Sequence, residues 1–105
     1  MERGEIWWAD LPAPIGRRPV LLLSRNAAYK VRTSITVAII TRTIREIPVE
    51  VMLDKSDGMP SRCVVNLDDI LTIPIVTLKD RLATLWPERM AELEKAIKFA
   101  LDIRT

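Results

Sequence analysis

The residues best suited to chemistry in this sequence are arginines set beside hydroxyls. Arg17-Arg18 stands immediately before the apolar run Pro19-Val20-Leu21-Leu22-Leu23-Ser24, Arg25 follows that run, and Thr41-Arg42-Thr43 closes a second one. A guanidinium is a permanent cation with a planar fork of donors that matches phosphate oxygens. A threonine hydroxyl adds one more donor to the same oxyanion. Such a set can cradle a phosphodiester and stabilise the charge that builds up in a pentacoordinate transition state.

What is absent narrows the chemistry further. The 105 residues contain no histidine, which removes the usual general acid–base, the usual zinc ligand and every Ser–His or Cys–His nucleophilic arrangement. The single cysteine, Cys63, lies between Arg62 and Val64 and reads as a buried structural thiol rather than a reactive one. It can form no intrachain disulfide, which fits a reducing compartment. Asp54 and Asp57 flank a turn and Asp68-Asp69 follows an apolar run, but neither pair has the spacing of a metal loop. Asp68 is placed to cap a short helical turn over residues 69–71. The three glycines, Gly4, Gly16 and Gly58, stand alone, so there is no glycine-rich phosphate loop. The expectation is a site without metal or cofactor. RNA can be cleaved under that restriction because it carries its own nucleophile, the 2′-hydroxyl, whereas DNA does not. A nuclease with this inventory would be a ribonuclease.

The net charge of +2 is small, but its distribution is uneven. Between Asp10 and Glu46 there is no acidic residue, while Arg17, Arg18, Arg25, Lys30, Arg32, Arg42 and Arg45 all fall there. One electropositive surface facing a polyanion accounts for this asymmetry, and an ordinary solvated face is the alternative.

The elements that must position these groups read mostly as strands. Residues 5–9, 19–24, 34–41, 48–53 and 62–66 are short, apolar or β-branched, and separated by turn-forming residues. The run at 19–24 is continuous enough for a strand buried on both faces. Residues 72–76 suggest a further edge strand, since Pro74 cannot donate to a central ladder. From 87 to 103 the pattern changes, and Met90, Leu93, Ile97, Ala100 and Leu101 recur at helical spacing. Pro87 suits the first helical position, Glu88 complements the helix dipole, and Glu94 and Lys98 are spaced as an i,i+4 pair. The expected fold is mainly β (α+β): a single domain over residues 1–105, a small antiparallel barrel with a C-terminal helix. No apolar run reaches the roughly 18 residues of a membrane span, and the charged start Met1-Glu2-Arg3-Gly4-Glu5 does not resemble a signal peptide. A cytoplasmic protein is expected.

In order along the chain, Arg3-Gly4-Glu5-Ile6-Trp7-Trp8-Ala9-Asp10-Leu11, Arg18-Pro19-Val20-Leu21-Leu22-Leu23-Ser24 and Ile35-Thr36-Val37-Ala38-Ile39-Ile40-Thr41 resemble the successive signature strands of the MazF/PemK toxin family. The resemblance continues through Gly58-Met59-Pro60-Ser61, residues 64–73, Arg81-Leu82 and the final helix, so it covers essentially the whole chain. It implies an SH3-like barrel that forms a homodimer and cuts single-stranded RNA at short motifs without metal. The implied products are a 2′,3′-cyclic phosphate and a 5′-hydroxyl, and the implied partner is a MazE-like antitoxin whose extended tail occupies the RNA groove. Carried over residue by residue, the catalytic pair falls on Arg18 and Thr41. The family arginine is also implicated in proton transfer, but a guanidinium titrates above about 12 and is better suited to stabilising charge.

Around that pair, Arg17, Arg25, Asn26, Tyr29, Arg42 and Ser61 are the candidate RNA-binding residues. One departure concerns residues 12–17, which are short, proline-stiffened and free of acid, where many relatives carry a longer polar loop with a glutamate. Arg17 is either a second phosphate ligand there or a solvent-facing charge. Trp7 and Trp8 must point to opposite faces of their strand, one into packing and the other into an interface or onto a base. Trp86 reads as packing. Two other functions fit the same fold. A gyrase-poisoning toxin of the CcdB type needs a Trp-Gly-Ile ending that this chain replaces with Leu101-Asp102-Ile103-Arg104-Thr105, and a non-catalytic RNA-binding barrel would not need Arg18 and Thr41.

Overall fold

The computed structural model describes all 105 residues. The β-branched and apolar runs form six strands: β1 (Glu5–Asp10), β2 (Arg17–Leu22), β3 (Ser34–Thr41), β4 (Glu50–Leu53), β5 (Cys63–Pro74) and β6 (Leu78–Thr84). A one-turn helix, α1 (Ala28–Val31), interrupts the β2–β3 connection, and a longer helix, α2 (Pro87–Ala100), ends the fold. The strands make one antiparallel sheet in the order β4-β5-β3-β2-β1-β6. It curls as an SH3-like half-barrel and buries both faces. On β2 and β3, Leu21, Ala38 and Ile40 point into the core beneath α2, while Val20, Leu22, Val37 and Ile39 point into a second core with Ile35 and Ile73. That is why 19–24 reads as an unbroken apolar run: alternate residues serve two cores.

Several local expectations are corrected. The runs at 62–66 and 72–76 are not separate strands: residues 63–66 and 72–74 belong to the single strand β5, which pairs with β3 along most of its length. Its register jumps between the pairs Ala38–Ile70 and Ile39–Asn66, so residues 67–69 form a bulge. The Asn66 side chain accepts the Asp68 backbone N–H at 2.9 Å there. The turn tendency at Asp68 is therefore real, but it bends a strand and caps no helix. After Pro74 the chain makes a 3₁₀ turn (Ile75–Thr77) and then β6, a strand hidden in the sequence because most of it faces solvent on the sheet edge.

In α2 the buried residues are Leu93 and Ala96, with Met90, Ile97 and Ala100 partly buried. The helix stops at Ala100, which leaves Leu101 57% exposed instead of in the core. Glu94 approaches Arg3 at 3.9 Å and does not pair with Lys98. Trp86 precedes the helix and is 60% exposed, so it is not a packing residue; its Nε1 donates to the Ser56 carbonyl at 3.3 Å. Pro87 does occupy the first turn of the helix. No helix is long and apolar enough to cross a membrane.

The acidic pair at 54 and 57 is fully engaged in structure. The Asp54 side chain accepts the Ser56 N–H, and the Asp57 carboxylate accepts the Asp54 N–H in return, closing a 3₁₀ turn (Lys55–Asp57). Arg89 of α2 then clamps the buried Asp57 carboxylate with Nε and Nη2 at 3.0 and 3.1 Å. This fork ties the turn ahead of β5 to the helix, and so holds the segment leading to Ser61.

Candidate active-site groove

The register of β2 and β3 brings the two expected catalytic residues to one place. Val20 pairs with Ile39, and Arg18 and Thr41 each lie two residues further toward the same end of the sheet, on the same side of the pleat. Both line an open groove of about 710 Å³ that closes over these strand ends. Its floor includes Ile40, Met59 and Cys63, which belong to the core beneath α2, so the groove rests on close-packed structure.

Each polar wall has an identifiable support. The Arg18 Nε faces the Ile15 carbonyl at 3.5 Å across the short β1–β2 turn. The Thr41 hydroxyl oxygen accepts the Thr43 backbone N–H at 3.2 Å, which turns the chain out of β3 and presents Arg42 and Thr43 along the rim. Further along that loop the Glu50 carboxylate accepts the N–H groups of Arg45 and Glu46 at 3.0 and 2.9 Å, where Glu46 adopts a left-handed φ of 56°. Ser61 contributes a half-buried hydroxyl from the opposite wall, beside Pro60.

The groove thus gathers Arg17, Arg18, Thr41, Arg42 and Ser61 from among the candidates. Thr43 of the Thr41-Arg42-Thr43 run lines it as well, and so does Ile15, which sequence reasoning did not single out. No carboxylate lines the groove itself. Arg18 and Arg42 form no ion pair with the protein, whereas Arg17 lies 3.5 Å from Asp10 and 3.8 Å from Asp80. The Arg17 guanidinium carbon also sits 4.9 Å from the centroid of the Trp8 ring. Trp8 is the groove-lining member of the tryptophan pair, while Trp7 packs against the second core and its Nε1 donates to Glu5 at 2.9 Å. Cys63 is 4% exposed, and burial, reinforced by the Asp57 and Asp54 carboxylates, pushes its thiol up, so it remains protonated and inert.

Arg25, Asn26 and Tyr29 are not brought to this groove. They sit beyond the opposite end of β2, where Arg25 lines a separate pocket of about 250 Å³ with Arg32, Ser24, Thr36 and Thr72. Asn26 accepts the Arg3 backbone N–H at 2.7 Å, and the Tyr29 hydroxyl donates to the Ser24 carbonyl at 3.0 Å.

A small antiparallel half-barrel with a C-terminal helix and a cationic, hydroxyl-lined groove at its strand ends defines a barrel-fold toxin. The model of the PemK-like, MazF-like toxin family of type II toxin-antitoxin systems matches residues 2–101, and the chain belongs to that family. It is 43% identical over 101 residues to the probable endoribonuclease MazF5 of Mycobacterium tuberculosis, covering 95% of this chain and 92% of the relative. It is 32% identical to the endoribonuclease MazF of Staphylococcus saprophyticus, over 100% of this chain and 94% of the relative. Among solved structures, the Mycobacterium tuberculosis toxin MazF-mt6 superposes with a TM-score of 0.89 at 34% identity, covering 96% of this chain and 99% of that one. A mycobacterial endoribonuclease in complex with its cognate antitoxin gives a TM-score of 0.89 at 30% identity, covering 100% and 98%. These relatives favour RNA cleavage over gyrase poisoning.

Proposed function

We propose that this MazF-type endoribonuclease cleaves single-stranded RNA in the groove between Arg18 and Thr41, by attack of the substrate's own 2′-oxygen and without a metal ion. The supporting observation is the juxtaposition of an ion-pair-free guanidinium and a hydroxyl, in register on neighbouring strands, in a groove with no carboxylate. The 2′-hydroxyl gives its proton to solvent water and its oxygen bonds to phosphorus while the bond from phosphorus to the 5′-oxygen breaks. The departing 5′-oxygen takes up a proton, leaving a 2′,3′-cyclic phosphate and a 5′-hydroxyl. Arg18 and Thr41 hold the nonbridging oxygens as their charge grows, a differential interaction that accelerates the step. Arg42, Thr43 and Ser61 hold the flanking chain. Assembly as a homodimer and neutralisation by a MazE-like antitoxin complete the proposal; a relative solved with its cognate antitoxin supports the second.

The test is cleavage of a long single-stranded RNA by the purified protein in excess EDTA, followed by sequencing of the cut ends. Cuts at a few defined motifs, with cyclic phosphate and 5′-hydroxyl termini, are expected. Intact RNA, or cleavage that returns only with added divalent metal, overturns the proposal.

A further inference from the structure

We propose that Arg17 and Trp8 together form a stacking platform for a nucleobase beside the scissile phosphate, and that Arg17 is not a phosphate ligand. This rests on the groove being the RNA site, as proposed above. Arg17 stands next to Arg18 and lines the same groove, yet its electrostatic surroundings differ. Arg18 has no carboxylate partner, whereas Arg17 lies within ion-pair distance of Asp10 at 3.5 Å and Asp80 at 3.8 Å. The two carboxylates offset the charge of Arg17 and leave it a weaker attractor of phosphate than the unpaired Arg18. The carboxylates also compete for the in-plane N–H groups that a phosphate would need.

What remains free is the flat face of the guanidinium. Trp8 supports Arg17 at 4.9 Å from the ring centroid, and the Arg17 side chain is still 51% exposed. The sheet builds this arrangement directly. Asp10 and Arg17 are partners across β1 and β2, and Trp8 and Asp80 are partners across β1 and β6. Three strands therefore surround the guanidinium with one aromatic ring and two carboxylates. Unpaired bases stack on guanidinium planes as readily as on aromatic rings. A base carries no charge, so the neighbouring carboxylates do not oppose it. Arg17, Trp8 and Arg18 line one groove, so the platform serves a nucleotide close to the cut and contributes to motif selection.

The experiment measures binding of an RNA containing the protein's own cleavage motif, blocked by 2′-O-methylation at the cut, across a series of salt concentrations. Cleavage of the unmodified RNA is followed in parallel. Arg17→Lys keeps the charge and loses the plane; it should weaken binding about tenfold, the size of one base stack, with the salt slope unchanged. An abasic nucleotide at the stacked position should weaken the wild type to the same level and leave Arg17→Lys unaffected. If Arg17→Lys binds as the wild type does, or if Arg17→Ala lowers the salt slope by about 0.7, the size of one phosphate contact on a single strand, the platform is wrong while the RNA site stands. If the wild type neither binds nor cuts RNA, the site and the platform fall together.

Discussion

The Thr41 hydroxyl oxygen accepts the Thr43 backbone N–H at 3.2 Å. A hydroxyl that accepts in this way still has its own hydrogen to donate, and the bond fixes the side chain's orientation in the groove. Thr41→Val keeps the β-branched shape and removes both bonds. Its single-turnover cleavage rate should fall about 10²-fold, the loss expected for one oxyanion donor, while Thr41→Ser stays within a few-fold of the wild type. Equal rates for valine and threonine would remove Thr41 from the chemistry.

Arg18 provides a second, independent check. Because it has no carboxylate partner, its charge and its fork are both available to substrate. Arg18→Ala should lose at least about 10²-fold in rate. Arg18→Lys restores the charge without the planar fork and should recover only part of that loss. Rates for lysine indistinguishable from arginine would show that a point charge suffices and that bidentate geometry plays no part.

Away from the groove, the Asp57–Arg89 fork predicts a stability effect. Asp57 is 2% exposed at its side chain and accepts two bonds from Arg89 and one from the Asp54 N–H. Asp57→Ala leaves a guanidinium facing a buried gap and unlocks the turn before β5. Since Arg89 is partly solvated, the loss should be about 2–4 kcal/mol, toward the lower end for a broken buried pair. Urea unfolding measures it, and a change below about 1 kcal/mol would show the fork to be dispensable.

The residues that were legible in the sequence are those whose pattern has one physical cause. Strand β3 was read with its exact ends, 34–41, because β-branched residues fill it and turn residues bound it. The residue inventory points to arginines and hydroxyls at the ends of apolar runs, and the family resemblance is what singles out Arg18 and Thr41 among them. Strand β6 was not legible: Lys79, Asp80 and Arg81 face solvent, and an edge strand with one wet face has little apolar pattern to show. The sequence suggests a helical turn over 69–71 capped by Asp68, where the structure has a bulge at 67–69, because an Asn-x-Asp turn looks the same inside a strand as before a helix. The partners of Arg17 needed registers that sequence does not state, although Asp10 and Arg17 flank the short turn symmetrically. Arg25, Asn26 and Tyr29 were grouped with the site by their nearness to a basic run, but β2 carries them to the far end of the sheet.

Tyr29 tests that last separation directly. Its ring packs against the second core and its hydroxyl donates to the Ser24 carbonyl. Burial pushes its pKa up from 10.0 to about 12; the Arg3 charge works against the shift and Glu5 adds to it. Between pH 10 and 12 the folded protein therefore keeps a proton that the unfolded chain has lost. Stability must fall as pH rises through that window, because the unfolded state binds fewer protons. The chain has a single tyrosine, so the change in absorbance near 295 nm on raising the pH reports this group, above a constant tryptophan background. The folded protein should titrate close to 12 and the urea-unfolded chain close to 10. Tyr29→Phe, which has no proton to lose, should show a shallower loss of stability over the same range. A folded-state midpoint near 10 would mean that the hydroxyl is free in solution, and would return Tyr29 to the residues available for RNA.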